Sequence, residues 1–369
     1  MHIKITQLLC CLLLTLNSWC QGNKTISGKV VNAETDAAIP NASVYIANTS
    51  QGIMTNDKGF FELKNFPSGN YELVISCIGF TTKIISVSSE KLPLKIDVPL
   101  QTNTTELEVV TVQPYEKNGW EKWGQLFLDN FIGTSWVAKQ ANITNYDVIR
   151  FRFSAKNNTL TASANEPLLI DNPGLGYRIK YDLDKFTYDS VEHTVLFQGH
   201  CLFEDMLKDP KQISKRLIKN RKEAYQGSIM HFMRSLYNNR LVEDGFEVHK
   251  AIKNNEGFLV TSQAVMTADS IVFVTPDSAR LLYFKNYLSV TYKNAKADNS
   301  YVNPESGKGG GWKQFSVINL RTEKPITIGY NGNYNPPLNV FSKGYWAWSE
   351  KIGHLLPLDY DEKLVFKKE

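Results

Sequence analysis

The first hundred positions alternate between apolar and polar residues in short runs that turn residues interrupt. Six runs have the length and alternation of β-strands, at residues 25–31, 42–47, 59–64, 70–77, 81–88 and 94–100. Gly, Pro and Asn residues lie between these runs and mark the turns. Regular short strands with such turns, and without helical periodicity, predict a β-sandwich over residues 24–113.

A different pattern begins after a polar linker at residues 101–105. Aromatic residues recur every three or four positions from Trp120 to Phe131, which predicts a helix with one aromatic face. Alternation returns at residues 147–203, a second helix is predicted at 209–239, and further short strands follow to about residue 346. These patterns predict a larger mixed α+β domain at residues 114–369, so that the fold class of the chain is β-rich α+β.

Several motifs of the N-terminal region follow one another at matching spacing. They read GKV at residues 28–30, IPNASV at 39–44, TNDKGFF at 55–61, FPSGNYEL at 66–73 and SCIGF at 76–80. Together they resemble the carboxypeptidase regulatory-like domain, a transthyretin-like β-sandwich of envelope proteins in Bacteroidota-type bacteria. Asn56 stands where that family usually has Asp, and both residues can hydrogen-bond the local backbone of a turn. The resemblance implies an architectural module without catalytic residues.

Zinc carboxypeptidases bind their metal through a His-x-x-Glu pair and a distant His. None of the five histidines of residues 21–369 has Glu three positions later; they are His193, His200, His231, His249 and His354. A His-Glu-x-x-His motif is absent as well. The sequence therefore predicts neither a metal site nor a cofactor, and it gives no support to peptidase activity.

Residues 1–20 have the pattern of a signal peptide. A short basic start precedes an apolar run at Leu8–Leu16, and Ser18-Trp19-Cys20 places small residues before a cleavage site at Gln21. The alternative is a lipid anchor at Cys20, although Asn17-Ser18-Trp19 matches that signal poorly. We expect an exported protein, periplasmic or associated with the outer membrane, and at most peripheral to the membrane.

Export would leave Cys77 and Cys201 as the only cysteines, which is too few for a disulfide framework. Both lie in alternating segments, which favours buried free thiols, and a bridge between the two domains is the alternative.

Composition excludes two classes of protein. The chain has 369 residues with 42% hydrophobic and 21% charged positions, enough apolar side chain to bury a core, so wholesale disorder is excluded. Its formal net charge is +4, which argues against a dedicated nucleic-acid-binding protein.

A group of basic residues in the second predicted helix is a candidate anion-binding surface. Helical spacing places Lys211, Lys215, Lys219 and Lys222 in one stripe, and Arg216 and Arg221 broaden it. Such a stripe can hold lipid headgroups or lipopolysaccharide phosphates at a membrane surface. The alternative is an ordinary solvated face of an amphipathic helix.

Two pairs of tryptophans are candidate ligand-binding residues. Trp120 and Trp123 lie on the first predicted helix, whereas Trp346 and Trp348 alternate and share a face if residues 344–348 are extended. Tryptophans in such positions can stack on sugars or fill a core, and core packing is the commoner role.

The hypothesis that follows is an exported cell-envelope protein without a reaction, whose sandwich is a docking or stabilising module. One alternative is a glycan- or peptide-binding envelope protein. The other is a hydrolase whose active site is assembled from distant residues of the C-terminal domain. The expected partner is another envelope protein or a glycan, and not a nucleic acid.

Overall fold

A computed structural model describes residues 24–103, 114–207, 213–303 and 312–362. The signal peptide predicted at residues 1–20, including Cys20, lies outside the described residues, as does Lys211. The described residues form two compact units. The first comprises residues 24–45 and 52–103, and the second comprises residues 46–51 together with everything from residue 114 onward.

The first unit is a sandwich of two small sheets. Its strands are β1 (Ile26–Asn32), β2 (Ser43–Ile46), β3 (Gly52–Met54), β4 (Phe60–Leu63), β5 (Asn70–Ser76), β6 (Lys83–Ser88) and β7 (Leu94–Leu100). One sheet has the order β4-β1-β7, with β1 and β7 parallel, and the other has the order β3-β2-β5-β6. The N-terminal β-sandwich is therefore confirmed, and so is the β-rich class of the chain. The sequence pattern missed β3, because its three residues are all exposed and show no alternation.

The turn between β3 and β4 explains the Asn at position 56. The Asn56 side-chain oxygen accepts hydrogen bonds from the backbone N–H groups of Lys58 and Phe60, both at 3.0 Å. Gly59 follows with φ of +74°, and a Cβ there would lie 2.6 Å from the carbonyl oxygen of Val30. Asn56 thus supplies the local turn bonds, and the glycine permits the close approach.

The second unit contains four helices and fifteen strands within the described residues. The helices are α1 (Gly119–Phe131), α2 (Lys215–Tyr225), α3 (Ile229–Tyr237) and α4 (Tyr345–Ser349). The first eight strands are β8 (Asn142–Ile143), β9 (Ile149–Ser154), β10 (Thr159–Ala164), β11 (Leu168–Asn172), β12 (Tyr177–Asp189), β13 (Thr194–Asp205), β14 (Phe246–Lys253) and β15 (Leu259–Val265). The others are β16 (Val272–Val274), β17 (Arg280–Leu282), β18 (Tyr287–Lys296), β19 (Lys313–Leu320), β20 (Ile326–Ile328), β21 (Tyr334–Asn335) and β22 (Val340–Gly344).

Helix α1 and a six-stranded sheet enclose the first of two cores in this unit. The sheet has the order β8-β11-β12-β10-β9, and β13 pairs with β12 along its other edge. Phe127 and Phe131 of α1 are fully buried, and both rings contact Phe186 of β12. The aromatic spacing in the sequence therefore marks the core-facing side of a helix.

The second core lies between two further sheets and helix α3. These sheets have the orders β15-β14-β18-β19-β22 and β16-β17-β20-β21. Phe232 and Met233 of α3 are fully buried in it, together with Phe246 of β14 and Trp346 of α4.

Two predicted elements of the second unit are wrong. The described part of the segment predicted as one helix at 209–239 forms two helices, α2 and α3, separated at Gly227 with φ of +82°. The positive φ disfavours any side chain at this break, and a Cβ at Gly227 would also lie 2.8 Å from the ring of Tyr292, so both favour glycine there. Residues 345–349 form the helix α4 instead of an extended segment, and Trp346 and Trp348 therefore do not share a face.

Candidate functional site

One segment of the second unit, residues 46–51, consists of the last residue of β2 and the connection to β3. We refer to it as the 46–51 loop. The backbone N–H of Asn48 donates to the carbonyl oxygen of Cys201 at 2.7 Å, and Leu358 N–H donates to the Asn48 carbonyl at 2.8 Å. Phe203 N–H donates to the Thr49 carbonyl at 2.9 Å. Asn48 has φ of +61°, which lies in the left-handed region, and Asn tolerates this region better than most residues do.

Side chains of the 46–51 loop add further bonds. Thr49 is completely buried, and its hydroxyl donates to the Ile46 carbonyl at 2.8 Å and accepts from Gln51 N–H at 3.1 Å. The Ser50 backbone N–H and hydroxyl both donate to the carboxylate of Asp359. The thiol of Cys201 donates to the side-chain oxygen of Asn48 at 3.2 Å. These bonds satisfy most of the loop's polar groups within the protein, whereas the buried side-chain oxygen of Gln51 has no hydrogen-bond partner among the described residues.

Both cysteines of the described residues are free thiols, Cys201 buried and Cys77 partly buried. Burial raises the pKa of each thiol, because the thiolate would lose its hydration. Neither thiol therefore has the lowered pKa that marks a reactive cysteine.

The tryptophans of α1 form a half-buried aromatic surface. Trp120 stacks on Tyr146 with ring centroids 4.7 Å apart, and Trp123 stacks on Phe153 with centroids 5.0 Å apart. Tyr146 is 47% exposed. Each tryptophan therefore has one face occupied by another ring, and the accessible aromatic group of this surface is Tyr146.

The tryptophans of α4 fill the second core. Trp346 is 2% exposed, and its indole N–H donates to the carbonyl oxygen of Gly227 at 2.7 Å. Trp348 packs against the rings of Tyr301 and Tyr345. Trp346 is therefore inaccessible to a sugar, and the pair does not form a stacking platform.

The predicted basic stripe is only partly exposed. Lys215, Arg216 and Lys219 are exposed, whereas Lys222 is half-buried and pairs with Glu362 at 3.4 Å. Arg221 is buried, and its guanidinium donates to the Leu175 carbonyl and to Asp205, so it belongs to the core and not to a surface. Lys211 lies outside the described residues.

A buried polar cluster that no sequence pattern marks lies beside the N-terminus of α3. The carboxylate of Glu350 accepts a hydrogen bond from Ile229 N–H at 3.2 Å, and a small cavity beside it is lined by Ser228 and His354. Burial raises the pKa of Glu350 to about 7, and the Ile229 hydrogen bond offsets part of this rise. Burial lowers the pKa of the adjacent Lys351 to about 8.

Two histidines of this region are held neutral. Burial lowers the pKa values of His231 and His354 to about 4. Gly227 N–H donates to Nδ1 of His231 at 3.2 Å, so this nitrogen is an acceptor and the ring is uncharged. The Ser135 hydroxyl lies 3.0 Å from Nδ1 of His354, but Ser135 is 1% exposed. This Ser–His pair is therefore inaccessible to a substrate as it stands.

The pairing of Ser135 with His354 joins residues 219 positions apart, and no local sequence pattern marks it. Within the described ranges, no group of three or more His, Cys, Asp or Glu residues could hold a metal ion. No helix in the same ranges is both long enough and apolar enough to cross a membrane.

Residues 26–112 match the family described as the CarboxypepD_reg-like domain, which confirms the resemblance found in the sequence. This domain is non-catalytic. Among curated proteins, none matches the chain significantly.

Three solved structures show distant likenesses to this chain. A type II cohesin–X-dockerin complex from Acetivibrio cellulolyticus matches with 24% identity over 21% of this chain and 55% of that one, at a TM-score of 0.18. The alignment thus spans little more than half of that relative. A candidate carbohydrate-binding protein from Bacteroides uniformis matches with 8% identity over 49% of this chain and 79% of that one, at a TM-score of 0.16.

A candidate membrane-associated protein of unknown function from Bacteroides fragilis matches with 11% identity. That match covers 85% of this chain and 92% of the other, at a TM-score of 0.18. Scores this low carry no argument about the function of the present chain.

Proposed function

Since residues 26–112 match the carboxypeptidase regulatory-like domain, we propose that this chain is a non-catalytic, exported cell-envelope protein. In this proposal the sandwich is a stabilising module for the second unit. The regulatory-like domain supplies no catalytic residue, and its motifs form turns and core. The boundary between the two domains is proposed at residues 113 and 114.

The observation that carries the proposal is the bonding of the 46–51 loop. Strands β2 and β3 of the sandwich flank this loop, while its own backbone and side chains bond to Cys201, Phe203, Leu358 and Asp359. A loop that merely joined two strands would expose these polar groups to water. Each bond contributes about 1 kcal/mol, so the set can stabilise the second unit measurably.

Disulfide trapping tests the position of this loop directly. In a Cys77→Ser background, Asn48→Cys places a thiol beside the native Cys201, whose sulfur lies 3.2 Å from the Asn48 side-chain oxygen. Mild oxidation should give a linked peptide of positions 48 and 201 by mass spectrometry. Asn56→Cys, on the neighbouring β3–β4 turn, is the matched control and should remain reduced. The proposal fails if Asn48→Cys crosslinks no more than the control does.

Export is tested separately, in a bacterium of the Bacteroidota. The proposal predicts a mature chain that begins at Gln21 and is found in the envelope fraction. A chain starting at a lipid-modified Cys20 would support the anchored alternative, and an uncleaved chain in the cytosol would contradict export altogether.

Glycan binding is the second candidate function, and the aromatic surface of α1 favours it. Tyr146 stacks on Trp120 and still exposes 47% of its area, so one ring face can meet a sugar. Titration with neutral hexasaccharides such as xylohexaose and maltohexaose, followed by tryptophan fluorescence, tests this candidate. Binding that is lost in Tyr146→Ala but kept in Tyr330→Ala, a comparably exposed tyrosine, would support it. A flat titration with every sugar would dismiss it.

A further inference from the structure

The dipeptide Asn-Gly occurs twice in the chain, at residues 118–119 and 331–332. An asparagine that precedes glycine is prone to spontaneous deamidation, because glycine has no Cβ to hinder attack on the asparagine side chain. The backbone nitrogen of the glycine must reach the side-chain carbonyl carbon of the asparagine, which requires rotation about the asparagine Cα–C bond. The surroundings of each pair therefore decide whether it reacts in the folded protein.

The second pair is fixed in the turn between β20 and β21. Asn331 is 6% exposed, and its side-chain oxygen accepts a hydrogen bond from Asn333 N–H at 3.1 Å. Gly332 N–H donates to the Gly329 carbonyl at 3.0 Å, so the nitrogen that would attack is already bonded. The Asn331 carbonyl accepts a hydrogen bond from the Arg234 guanidinium at 2.9 Å. Reaction at this pair therefore requires the turn to open and several buried bonds to break.

The first pair lies where helix α1 begins. Asn118 is exposed, with φ of +53° and ψ of +41°, and its side chain makes no capping hydrogen bond. Gly119 is the first residue of α1, and no described residue accepts a hydrogen bond from its N–H. The Asn118 carbonyl accepts from Lys122 N–H at 3.1 Å, a bond of the first helical turn. Opening of that turn frees the pair for reaction, and the ends of helices fray readily.

We propose that Asn118 is a site of spontaneous deamidation in the folded protein and that the fold protects Asn331. The Gly119 nitrogen bonds to the side-chain carbonyl carbon of Asn118. The C–N bond of the side-chain amide then breaks, and ammonia leaves with the proton of the Gly119 amide. Water opens the resulting succinimide ring at either carbonyl. Opening at the side-chain carbonyl gives aspartate, and opening at the main-chain carbonyl gives isoaspartate.

The modification changes the charge at the start of α1. Both products carry a carboxylate where Asn118 carried a neutral amide, and a negative charge is favourable beside the first turn of a helix. Aspartate is as good an N-cap residue as asparagine, so this product keeps the start of the helix. Isoaspartate instead adds one backbone atom before Gly119. The chain thus acquires a negative charge at this position by reaction with water alone.

Peptide mapping of the mature chain tests the proposal. A folded sample and a urea-unfolded sample are incubated at the same mildly alkaline pH until half of Asn118 in the unfolded sample has converted. Mass spectrometry and separation of the isoaspartyl peptides then give the rate at each position. The rate in urea divided by the rate in the folded chain is the protection of that position. We expect the protection of Asn331 to exceed that of Asn118 by at least about tenfold.

Asn118→Gln is the decisive variant, because attack on glutamine forms a larger ring and is much slower. It should remove the acidic species that ion-exchange chromatography separates from the aged wild-type chain. Asn158→Gln is the matched control, since Asn158 is also exposed with φ of +52° but precedes Thr159. This control should leave the acidic species unchanged, and circular dichroism verifies the fold of both variants.

Two results would overturn the proposal. Equal protection of Asn118 and Asn331 would mean that the fold does not distinguish the two pairs. An acidic species that persists in Asn118→Gln would mean that the charge change arises at another residue.

Discussion

The same tripeptide, Thr-Ser-Gln, occurs in two hairpins with opposite surroundings. In the 46–51 loop it comprises residues 49–51, where Thr49 is completely buried and Ser50 bonds to Asp359. In β15 it comprises residues 261–263, all of them exposed. Identical side chains thus make hydrogen bonds inside one hairpin and are exposed in the other. The difference lies in the partners that the fold brings to them.

The largest expected effect concerns the protonation state of the Glu350 carboxyl group. Burial raises the pKa of Glu350 from 4.5 to about 7, so the folded state favours its protonated form. Its stabilising contribution is complete below about pH 4.5 and is lost as the pH rises through about 7. Glu350→Gln should therefore raise the free energy of unfolding at about pH 8 by up to about 3 kcal/mol, with little gain at about pH 5.

Urea unfolding at both pH values measures this difference. Glu223→Gln is the control, since Glu223 is exposed and forms only a surface ion pair with Lys219 at 3.7 Å. If Glu350→Gln raises the free energy of unfolding equally at both pH values, ionisation of the buried carboxyl group is not the cause.

The second largest effect is expected from a comparison of Thr49 with Thr261. Thr49→Val leaves the Ile46 carbonyl and Gln51 N–H without their hydroxyl partner and should cost about 1–2 kcal/mol of unfolding free energy. These groups are neutral, so the cost should be the same at about pH 5 and pH 8. Thr261→Val should change stability by less than about 0.5 kcal/mol. Chemical denaturation measures both variants. Equal losses of unfolding free energy in Thr49→Val and Thr261→Val would show that the two threonines do not differ in this way.

The smallest effect compares the two serines. Ser50→Ala removes a hydroxyl bond to the Asp359 carboxylate in a partly solvated position and should cost about 0.5–1 kcal/mol. Ser262→Ala should be neutral within a few tenths of a kcal/mol. Thermal unfolding of both variants under the same conditions measures the difference. A larger loss in Ser262→Ala than in Ser50→Ala would reverse the comparison.

Much of the fold could be predicted from local pattern. The strands of the sandwich follow from alternation and turn residues, and α1 follows from aromatic residues at helical spacing. The pattern failed at residues 344–348 because alternating aromatics fit a strand, whereas Gly344, with φ of +77°, ends β22 and the next residues turn into helix α4. There the packing of Trp346 in the second core overrides the local signal.

The functional features were less predictable, since their partners are distant in sequence. The thiol of Cys201 and Asn48 are 153 positions apart, and Ser50 and Asp359 are 309 apart. No spacing rule connects such residues. The position of β15 at the end of its described sheet was equally unpredictable, because a strand at the end of a sheet and one inside it can share the same sequence pattern.

Hydrogen–deuterium exchange of the wild-type chain tests the central claim, that the 46–51 loop is bonded into the second unit. The backbone N–H groups of Phe203 and Leu358 donate to Thr49 and Asn48 carbonyls, respectively. We predict that both exchange as slowly as the core amides of β12, because they open only when the unit unfolds. Exchange of these two amides at the rate of an unstructured peptide would contradict the account.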